Sequence, residues 1–171
     1  MGTIIEKNIN GKHLAIKNNF LEKSFFNEFK EFIFSNKINW YLQDHMTTND
    51  DYFFAHVFFK KHMIESMYYE KYIIPILKIL EVKALDEARA NLMLRREKIY
   101  KSNFHTDRSF DCLTAIFYMN DCNGYTIFDK TEQYKVNCMQ NTMVIFNSSI
   151  EHSAVSQTDT EKRIVINFNG F

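Results

Sequence analysis

Apolar side chains recur at helical spacing in two stretches of the first half of the chain. The first stripe consists of Leu21, Phe25, Phe29 and Phe32. The second consists of Ile64, Tyr68, Tyr72, Ile76 and Leu80. Steps of three and four residues place side chains on one face of an amphipathic helix. We therefore predict two helices whose aromatic faces enter the core, and we expect Pro75 to kink or restart the second one.

Short runs rich in Val, Ile, Thr, Phe and Tyr dominate the second half. They read ARANLMLRRE, LTAIFYMN, YTIFD, YKVNC, TMVIFNS and RIVINFNGF, with turn-like segments between them. Such runs predict strands. A further pair of short strands is predicted on either side of TTNDD, between the two helices. Many short strands indicate an antiparallel sandwich or barrel, of which a jelly roll is one form. With helices packed on one sheet, the fold class is α+β.

The length of 171 residues fits one domain with a sizeable core. We predict a single domain over residues 1–171. Its helical half spans about 1–85 and its jelly-roll half about 86–171, because the hydrophobic period changes between them.

The charge balance narrows the choice of partners. Basic and acidic residues each number 21, so the formal net charge is zero. A protein that mainly grips nucleic acid needs a basic face, and nucleic acid is therefore a disfavoured partner. Basic side chains do cluster locally, at Arg95, Arg96, Lys98, Lys101 and Arg108. This run is either a solvated loop or a rim that favours an anionic substrate.

The cysteines and the apolar runs indicate a location. The three cysteines show no C-x-x-C pair, which favours a reducing compartment. We find no secretory leader and no apolar stretch long enough to span a bilayer. We expect a cytoplasmic protein without a membrane partner, and the sequence leaves its oligomeric state open.

A candidate metal site begins at NFHTDRSF. In extended chain, His105 and Asp107 point to the same side, because side chains alternate with period two. A lone H-x-D is weak evidence. His152, at the start of a later predicted strand, supplies a third ligand if that strand runs beside residue 105. Two histidines and one carboxylate with open positions form the arrangement that non-haem Fe(II) favours.

Arg163 opens the last predicted strand, RIVINFNGF, whose apolar residues indicate burial. A buried guanidinium is costly unless an anion pairs with it. The anion is either an acidic side chain of this chain or a ligand, and the metal triad favours a ligand.

The order of these features resembles the 2-oxoglutarate/Fe(II)-dependent dioxygenases, most closely the prolyl-4-hydroxylase-like branch. That order is H-x-D, a strand ending IFYMN, the turn NGYTIFD, the segment TMVIFNSSIEHS and then Arg163. The resemblance covers about residues 87–171, and the combined motif is more specific than any part of it. INWYL and FFAHVFF resemble small members of this family carried by bacteriophages, which would put the protein in the host cytoplasm.

The resemblance implies roles for individual residues. The iron ligands are matched by His105, Asp107 and His152. Arg163 matches the residue that pairs with the distal carboxylate of 2-oxoglutarate. Tyr118 matches a tyrosine whose hydroxyl reaches the same carboxylate, and Thr126 matches a threonine that supports the turn.

Two departures from the family pattern concern the pocket. The usual double glycine is here Gly124-Tyr125. A tyrosine common in the strand before H-x-D has no clear match, and Met93, Leu94 or Arg95 falls near its place. Substrate specificity is expected in the loops at the barrel mouth, at about residues 43–51 and 95–104.

The resemblance implies an Fe(II) enzyme that uses 2-oxoglutarate and dioxygen as co-substrates, with ascorbate as a further cofactor. We expect it to hydroxylate an amino-acid side chain, with proline, free or in a peptide, as the first candidate. One alternative is a nucleobase or nucleic-acid demethylase of the same superfamily, although RIVINFNGF lacks the second arginine of that branch. Another is a non-catalytic β-sandwich binding module.

Overall fold

The structure is a computed structural model that describes residues 3–43, 52–131 and 133–171. In these residues the strands are β1 (Ile4–Ile9), β2 (Lys12–Asn18), β3 (Tyr41–Gln43), β4 (Phe53–Lys60), β5 (Met63–Ile64), β6 (Leu85–Leu94), β7 (Leu113–Tyr118), β8 (Tyr125–Phe128), β9 (Tyr134–Asn137), β10 (Thr142–Asn147), β11 (His152–Val155) and β12 (Lys162–Gly170). The helices are α1 (Lys23–Phe34) and α2 (Ile74–Leu80), and a π-helical turn, Tyr69–Ile73, leads into α2.

The strands form a large and a small antiparallel sheet. The large sheet has nine strands in the order β1-β2-β10-β7-β12-β6-β4-β3, with β5 paired to β4. The small sheet has the order β11-β8-β9. Non-consecutive neighbours of this kind are typical of a jelly roll. The predicted α+β jelly roll is confirmed, and each strand predicted in the second half is present.

Both helices pack against one face of the large sheet. In α1, Phe26, Phe29 and Ile33 are buried, and the ring of Phe29 stacks on Tyr72 with 4.6 Å between centroids. The side chain of Glu22 caps the helix by accepting hydrogen bonds from the backbone N–H groups of its first turn. The aromatic stripes of the sequence thus meet each other and the sheet.

The second predicted helix is shorter than its stripe. Ile64 lies in β5 and is exposed, and helical structure starts only at Tyr69. Pro75 lies in the first turn of α2, where its missing N–H costs no hydrogen bond. The helix therefore restarts at this proline, as predicted.

Among its described residues, the first half contains five strands besides its helices, and only the pair around TTNDD, β3 and β4, was predicted. The hairpin β1–β2 was not predicted, since β1 is almost wholly exposed and shows no apolar alternation. Its turn did carry a signal. Asn10 and Gly11 both have positive φ, 52° and 81°, as an Asn-Gly hairpin turn requires. The large sheet takes strands from both halves, as a single domain would.

The two faces of the large sheet serve different purposes. On β6, Ala88, Ala90 and Leu92 join the core beneath the helices. Their neighbours Asn91 and Met93 point to the other face, because strand side chains alternate. A second core lies on that face and includes Ile116, Tyr118 and Val165 together with Phe128 of the small sheet. The candidate site lies beside this second core. No helix among the described residues has the length and apolarity needed to cross a bilayer.

Candidate metal and co-substrate site

Backbone pairing brings His105 and His152 together. The N–H of His105 donates to the carbonyl of His152 at 3.0 Å, and the N–H of His152 donates to the carbonyl of His105 at 2.9 Å. This isolated antiparallel bridge extends β11 by one rung onto the H-x-D segment. The prediction that the strand beginning at His152 runs beside residue 105 is confirmed.

The ligand atoms of the triad converge. Asp107 Oδ1 lies 3.8 Å from His105 Nε2 and 3.6 Å from His152 Nε2. One ligand atom from each residue falls within 4.8 Å of the others. Three donors so close can share one ion.

The backbone fixes the tautomer of both rings. Nδ1 of His105 lies 3.2 Å from the carbonyl oxygen of Asn103, and Nδ1 of His152 lies 3.2 Å from that of Ile150. A carbonyl oxygen only accepts, so each Nδ1 carries a proton and each Nε2 keeps its lone pair. Metal-binding histidines are typically oriented in this way.

The carboxylate also fits a bound cation. Asp107 Oδ2 is buried and has no hydrogen-bond partner among the described residues, which is costly without a positive charge nearby. Burial, which outweighs the charge of Asp107, lowers the pKa of His152 and so favours the neutral imidazole that binds metal. Two imidazoles and one carboxylate are a donor set that suits Fe(II).

Arg163 is buried in the same pocket. Its Nη1 donates to the carbonyl of Val155 at 2.9 Å, and its Nη2 lies 3.4 Å from Thr126 Oγ1. Its Nε has no partner in the described part of the chain. The guanidinium therefore retains unused donors in a site closed to water.

Tyr118 and Thr126 form a hydroxyl pair beside Arg163. The Tyr118 hydroxyl donates to Thr126 Oγ1 at 2.8 Å, and burial raises the Tyr118 pKa. Thr126 Oγ1 thus accepts from Tyr118 and faces Arg163, which leaves its own proton to donate elsewhere. Thr126, and not Tyr118, is the hydroxyl that lines the pocket.

Two thiols that the sequence did not mark as site residues also border Arg163. A hydrogen bond with the Cys138 thiol lowers the pKa of Cys122 to about 7, and the charge of Arg163 contributes.

A Cβ on Gly124 would lie 3.3 Å from Arg163 Cδ and 3.0 Å from the carbonyl oxygen of Val155. A larger residue at this position would therefore crowd the arginine and the Val155 carbonyl.

A partly open pocket joins these parts. It has about 450 Å³ of empty space and is lined by His105, His152, Thr126 and Arg163 among others. A second pocket adjoins it and shares Phe53, Met93, Ala154 and Arg163. The two predicted histidine ligands and the predicted anion-binding residue therefore face one common space.

Known proteins were compared with the chain at the levels of sequence and fold. The sequence matches no protein-family model and no curated protein. A 2OG-Fe(II) oxygenase family oxidoreductase from Burkholderia pseudomallei has a TM-score of 0.70 at 7% identity, over 92% of this chain and 84% of that chain. A Trichoplax adhaerens prolyl hydroxylase, in complex with a peptide fragment of the hypoxia inducible factor oxygen degradation domain, has a TM-score of 0.63 at 12% identity, over 92% and 83%. The epimerase SnoN, in complex with Fe³⁺, alpha ketoglutarate and nogalamycin RO, has a TM-score of 0.63 at 12% identity, over 91% and 77%.

The fold is that of the 2OG-Fe(II) oxygenases. The fold that the motif order predicted is therefore confirmed. At these identities the likeness concerns the fold, and the roles of the individual residues rest on the geometry described above.

One departure from the family pattern is resolved in this oxygenase fold. Met93 pairs with Arg163 across β6 and β12 and lines the pocket. Arg95 is exposed, and its backbone N–H donates to the carbonyl of Glu161. An apolar thioether thus occupies the place near which the family often has a tyrosine.

The basic run divides into side chains with different surroundings. The guanidinium of Arg96 lies 4.2 Å from the ring centroid of Tyr100 and 5.4 Å from that of Tyr52, at the wall of the adjoining pocket. Arg108 is held by acidic residues and does not face solvent as a free charge. Of the two mouth loops predicted to set specificity, residues 44–51 lie outside the described residues.

Arg108 ties the H-x-D segment to the large sheet. Its Nε donates to Asp86 at 2.6 Å, its Nη2 to Glu87 at 2.7 Å, and its Nη1 to the carbonyl of Asp107 at 2.8 Å. One guanidinium therefore links Asp107, a candidate metal ligand, to the start of β6. Sequence alone did not reveal this role, because the acidic partners precede Arg108 by more than twenty positions.

Proposed function

We propose that the protein is an Fe(II)- and 2-oxoglutarate-dependent dioxygenase that hydroxylates an amino-acid side chain, with proline, free or in a peptide, as the first candidate. The observation that carries the proposal is the convergence of His105, Asp107 and His152, with backbone-fixed tautomers, in a pocket that also holds Arg163. The fold of the 2OG-Fe(II) oxygenases supports it.

The residues of the chain divide the work. His105, Asp107 and His152 would hold Fe(II), and Arg163 would bind the distal carboxylate of 2-oxoglutarate through its unused donors. Thr126, oriented by Tyr118, would donate to the same carboxylate. Bound Fe(II), with 2-oxoglutarate and dioxygen, would supply the oxidation of a C–H bond to a hydroxyl, with succinate and carbon dioxide as co-products. Ascorbate and a cytoplasmic location, in the host if the gene is carried by a phage, stay predictions.

The choice of substrate rests on the neighbours in fold and on the charge of the chain. One neighbour in fold is a prolyl hydroxylase complexed with a peptide, which favours a prolyl substrate. Another neighbour is an epimerase, so the same fold also supports a reaction other than hydroxylation. The chain's formal net charge of zero favours an amino acid or peptide over nucleic acid.

The test is succinate formation from 2-oxoglutarate with added Fe(II), together with metal binding. We expect turnover with the wild-type protein, and we expect His105→Ala, His152→Ala and Asp107→Ala to lose metal binding and turnover while keeping the fold. Alanine is smaller than each ligand, including His152, whose buried ring packs against Phe146, so the circular dichroism spectrum should be unchanged. His13→Ala, at an exposed histidine, is the control. Full activity in either pocket histidine variant would exclude the proposed metal site.

A further inference from the structure

Two asparagine side chains in the pocket have no role in the scheme so far. Asn91 of β6 and Asn167 of β12 line the same pocket as His105, His152 and Arg163. Asn91 is 5% exposed. The Oδ1 atoms of both are buried and have no hydrogen-bond partner within the described residues. A buried amide oxygen without a hydrogen-bond partner costs free energy, so a ligand that donates hydrogen bonds to these two oxygens would offset that cost.

The strand register places the two amides side by side. Asn91 is opposite Val165, and Asn167 is opposite Arg89, on neighbouring strands. The two asparagines are therefore diagonal neighbours on one face, within reach of a single small ligand. Arg163, Val165 and Asn167 share that face of β12, because side chains alternate. The amides consequently lie further along β12 than Arg163, beyond the part assigned to 2-oxoglutarate.

Arg89 continues this row of polar side chains on β6, and its charge is only partly paired. It precedes Asn91 by two positions and so shares its face, and its guanidinium carbon lies 5.5 Å from the ring centroid of Phe53, another pocket residue. Its Nε is buried and unpartnered among the residues that the structure describes. Its contact with Glu87 is long, at 3.8 Å.

Among the described residues, the charges around Arg89 leave one positive charge in excess. Glu87 is already held by Lys60 at 3.1 Å and by Arg108 at 2.7 Å, and Arg108 also takes Asp86. Three cations thus face two carboxylates in this cluster. A further carboxylate would balance the cluster and could pair with the guanidinium of Arg89.

We propose that Asn91, Asn167 and Arg89 form the binding subsite for the primary substrate, and that this substrate is a free amino acid. The two amide oxygens would accept hydrogen bonds from its ammonium group, and Arg89 would bind its carboxylate. A residue inside a peptide has neither charge, so the subsite discriminates between the two substrate forms. The inference rests on the proposed function, because it assigns the substrate of that same pocket.

The experiment measures binding to the protein loaded with Fe(II) and 2-oxoglutarate under anaerobic conditions. Calorimetric titrations use the twenty free L-amino acids, with proline first, and the N-acetyl amides of the same amino acids. We expect one free amino acid to bind and its N-acetyl amide to bind at least about tenfold more weakly, because the charge-assisted contacts are lost.

Three variants test the residues themselves. Asn91→Leu, Asn167→Leu and Arg89→Gln should each weaken binding of that amino acid by about tenfold or more, with the affinity for 2-oxoglutarate unchanged. Leucine has a shape similar to asparagine and needs no partner, so both leucine variants should melt at the same or a higher temperature. A residue with only a structural role would not separate affinity from stability in this way. Asn137→Leu, at an exposed asparagine of β9, is the matched control.

The outcomes distinguish the two proposals. A protein that binds neither metal nor 2-oxoglutarate would fail the proposed function itself. If 2-oxoglutarate binds but no free amino acid does, or if the N-acetyl amide binds as tightly as the free acid, the subsite is wrong while the proposed function stands. Unchanged amino-acid affinity in both leucine variants would equally overturn it.

Discussion

Among the individual residues, the buried charge of Arg163 most needs an energetic explanation. It is 1% exposed, and no acidic side chain among the described residues forms an ion pair with it. Its partners include a carbonyl, a threonine hydroxyl, the Cys138 thiol and the ring of Tyr118, whose centroid lies 5.8 Å from the guanidinium carbon. Of the two anions that the sequence allows, a ligand therefore fits better than an acidic residue. A buried cation without an acidic partner costs free energy, and a bound anion would offset that cost.

Replacement of Arg163 should weaken 2-oxoglutarate binding more than it changes any other property. Arg163→Gln removes a charge-assisted contact that is worth on the order of 1.5–3 kcal/mol, and should weaken 2-oxoglutarate binding roughly ten- to a hundredfold. Tyr118→Phe should have a smaller effect in the same direction, since it acts through Thr126. The measurement is a titration of 2-oxoglutarate into the metal-loaded protein, with Tyr134→Phe of β9 as control. An unchanged affinity in Arg163→Gln would leave this residue a purely structural role.

The site residues that could be predicted are those with a short sequence motif or a place at the start of a predicted strand. His105 and Asp107 have a spacing of two, and His152 and Arg163 follow at the starts of predicted strands. Asn91, Asn167 and Arg89 have no such signal, because polar residues inside strands look like interruptions of the apolar pattern. Only the register between β6 and β12 brings them together, and register cannot be read from one strand.

Among the elements, the H-x-D segment between β6 and β7 is the least regular part of the site. It is joined to β11 by two isolated bridges, Lys101 with Val155 and His105 with His152. Arg108 then fixes its far end to β6. Burial acts to raise the pKa of Glu87, but the hydrogen bond from Arg108 and the charges of Arg89 and Lys60 outweigh it, so this pKa is lowered. The cluster is therefore stabilising at neutral pH, and that contribution is lost as the pH falls through the folded-state pKa.

Loss of the contacts made by Arg108 should weaken metal binding. Arg108→Ala releases the carbonyl of Asp107 and should lower metal affinity by about ten- to a hundredfold, as is typical when a residue that orients a ligand is removed. The fold should remain, because Glu87 keeps Lys60 and Arg89 as partners. Titration with Mn(II), compared between this variant and Arg95→Ala, measures the effect. Equal metal affinity in the two variants would show that the segment is held without Arg108.

The elements were predictable where their pattern was periodic. The buried strands of the second half and the face of α1 repeat their apolar residues at the expected spacing. The hairpin β1–β2 has one exposed strand, and its β structure depends on pairing with β10 at the edge of the sheet. Pairing partners so distant in sequence have no local signature, so this hairpin was not predicted.

At the scale of the whole molecule, one large sheet separates two cores. The helices cover one face, and the small sheet covers part of the other. The jelly-roll topology could be predicted because the strands are short, numerous and close together in sequence. What could not be predicted was that β1 to β4 join the same sheet as the strands near the site, with Phe53 of β4 reaching the pocket wall.

The backbone bridge between His105 and His152 has a consequence for how fast the protein folds. All of β7, β8, β9 and β10 lies between the two histidines in sequence, so we expect their rings to meet only after both sheets have formed. Contacts that complete late change the rate of unfolding more than the rate of folding. Mn(II) should therefore slow unfolding in stopped-flow experiments and leave the refolding rate unchanged, and His152→Ala should abolish the effect. Faster refolding with the ion would instead mean that the two histidines approach each other early, ahead of the strands that separate them.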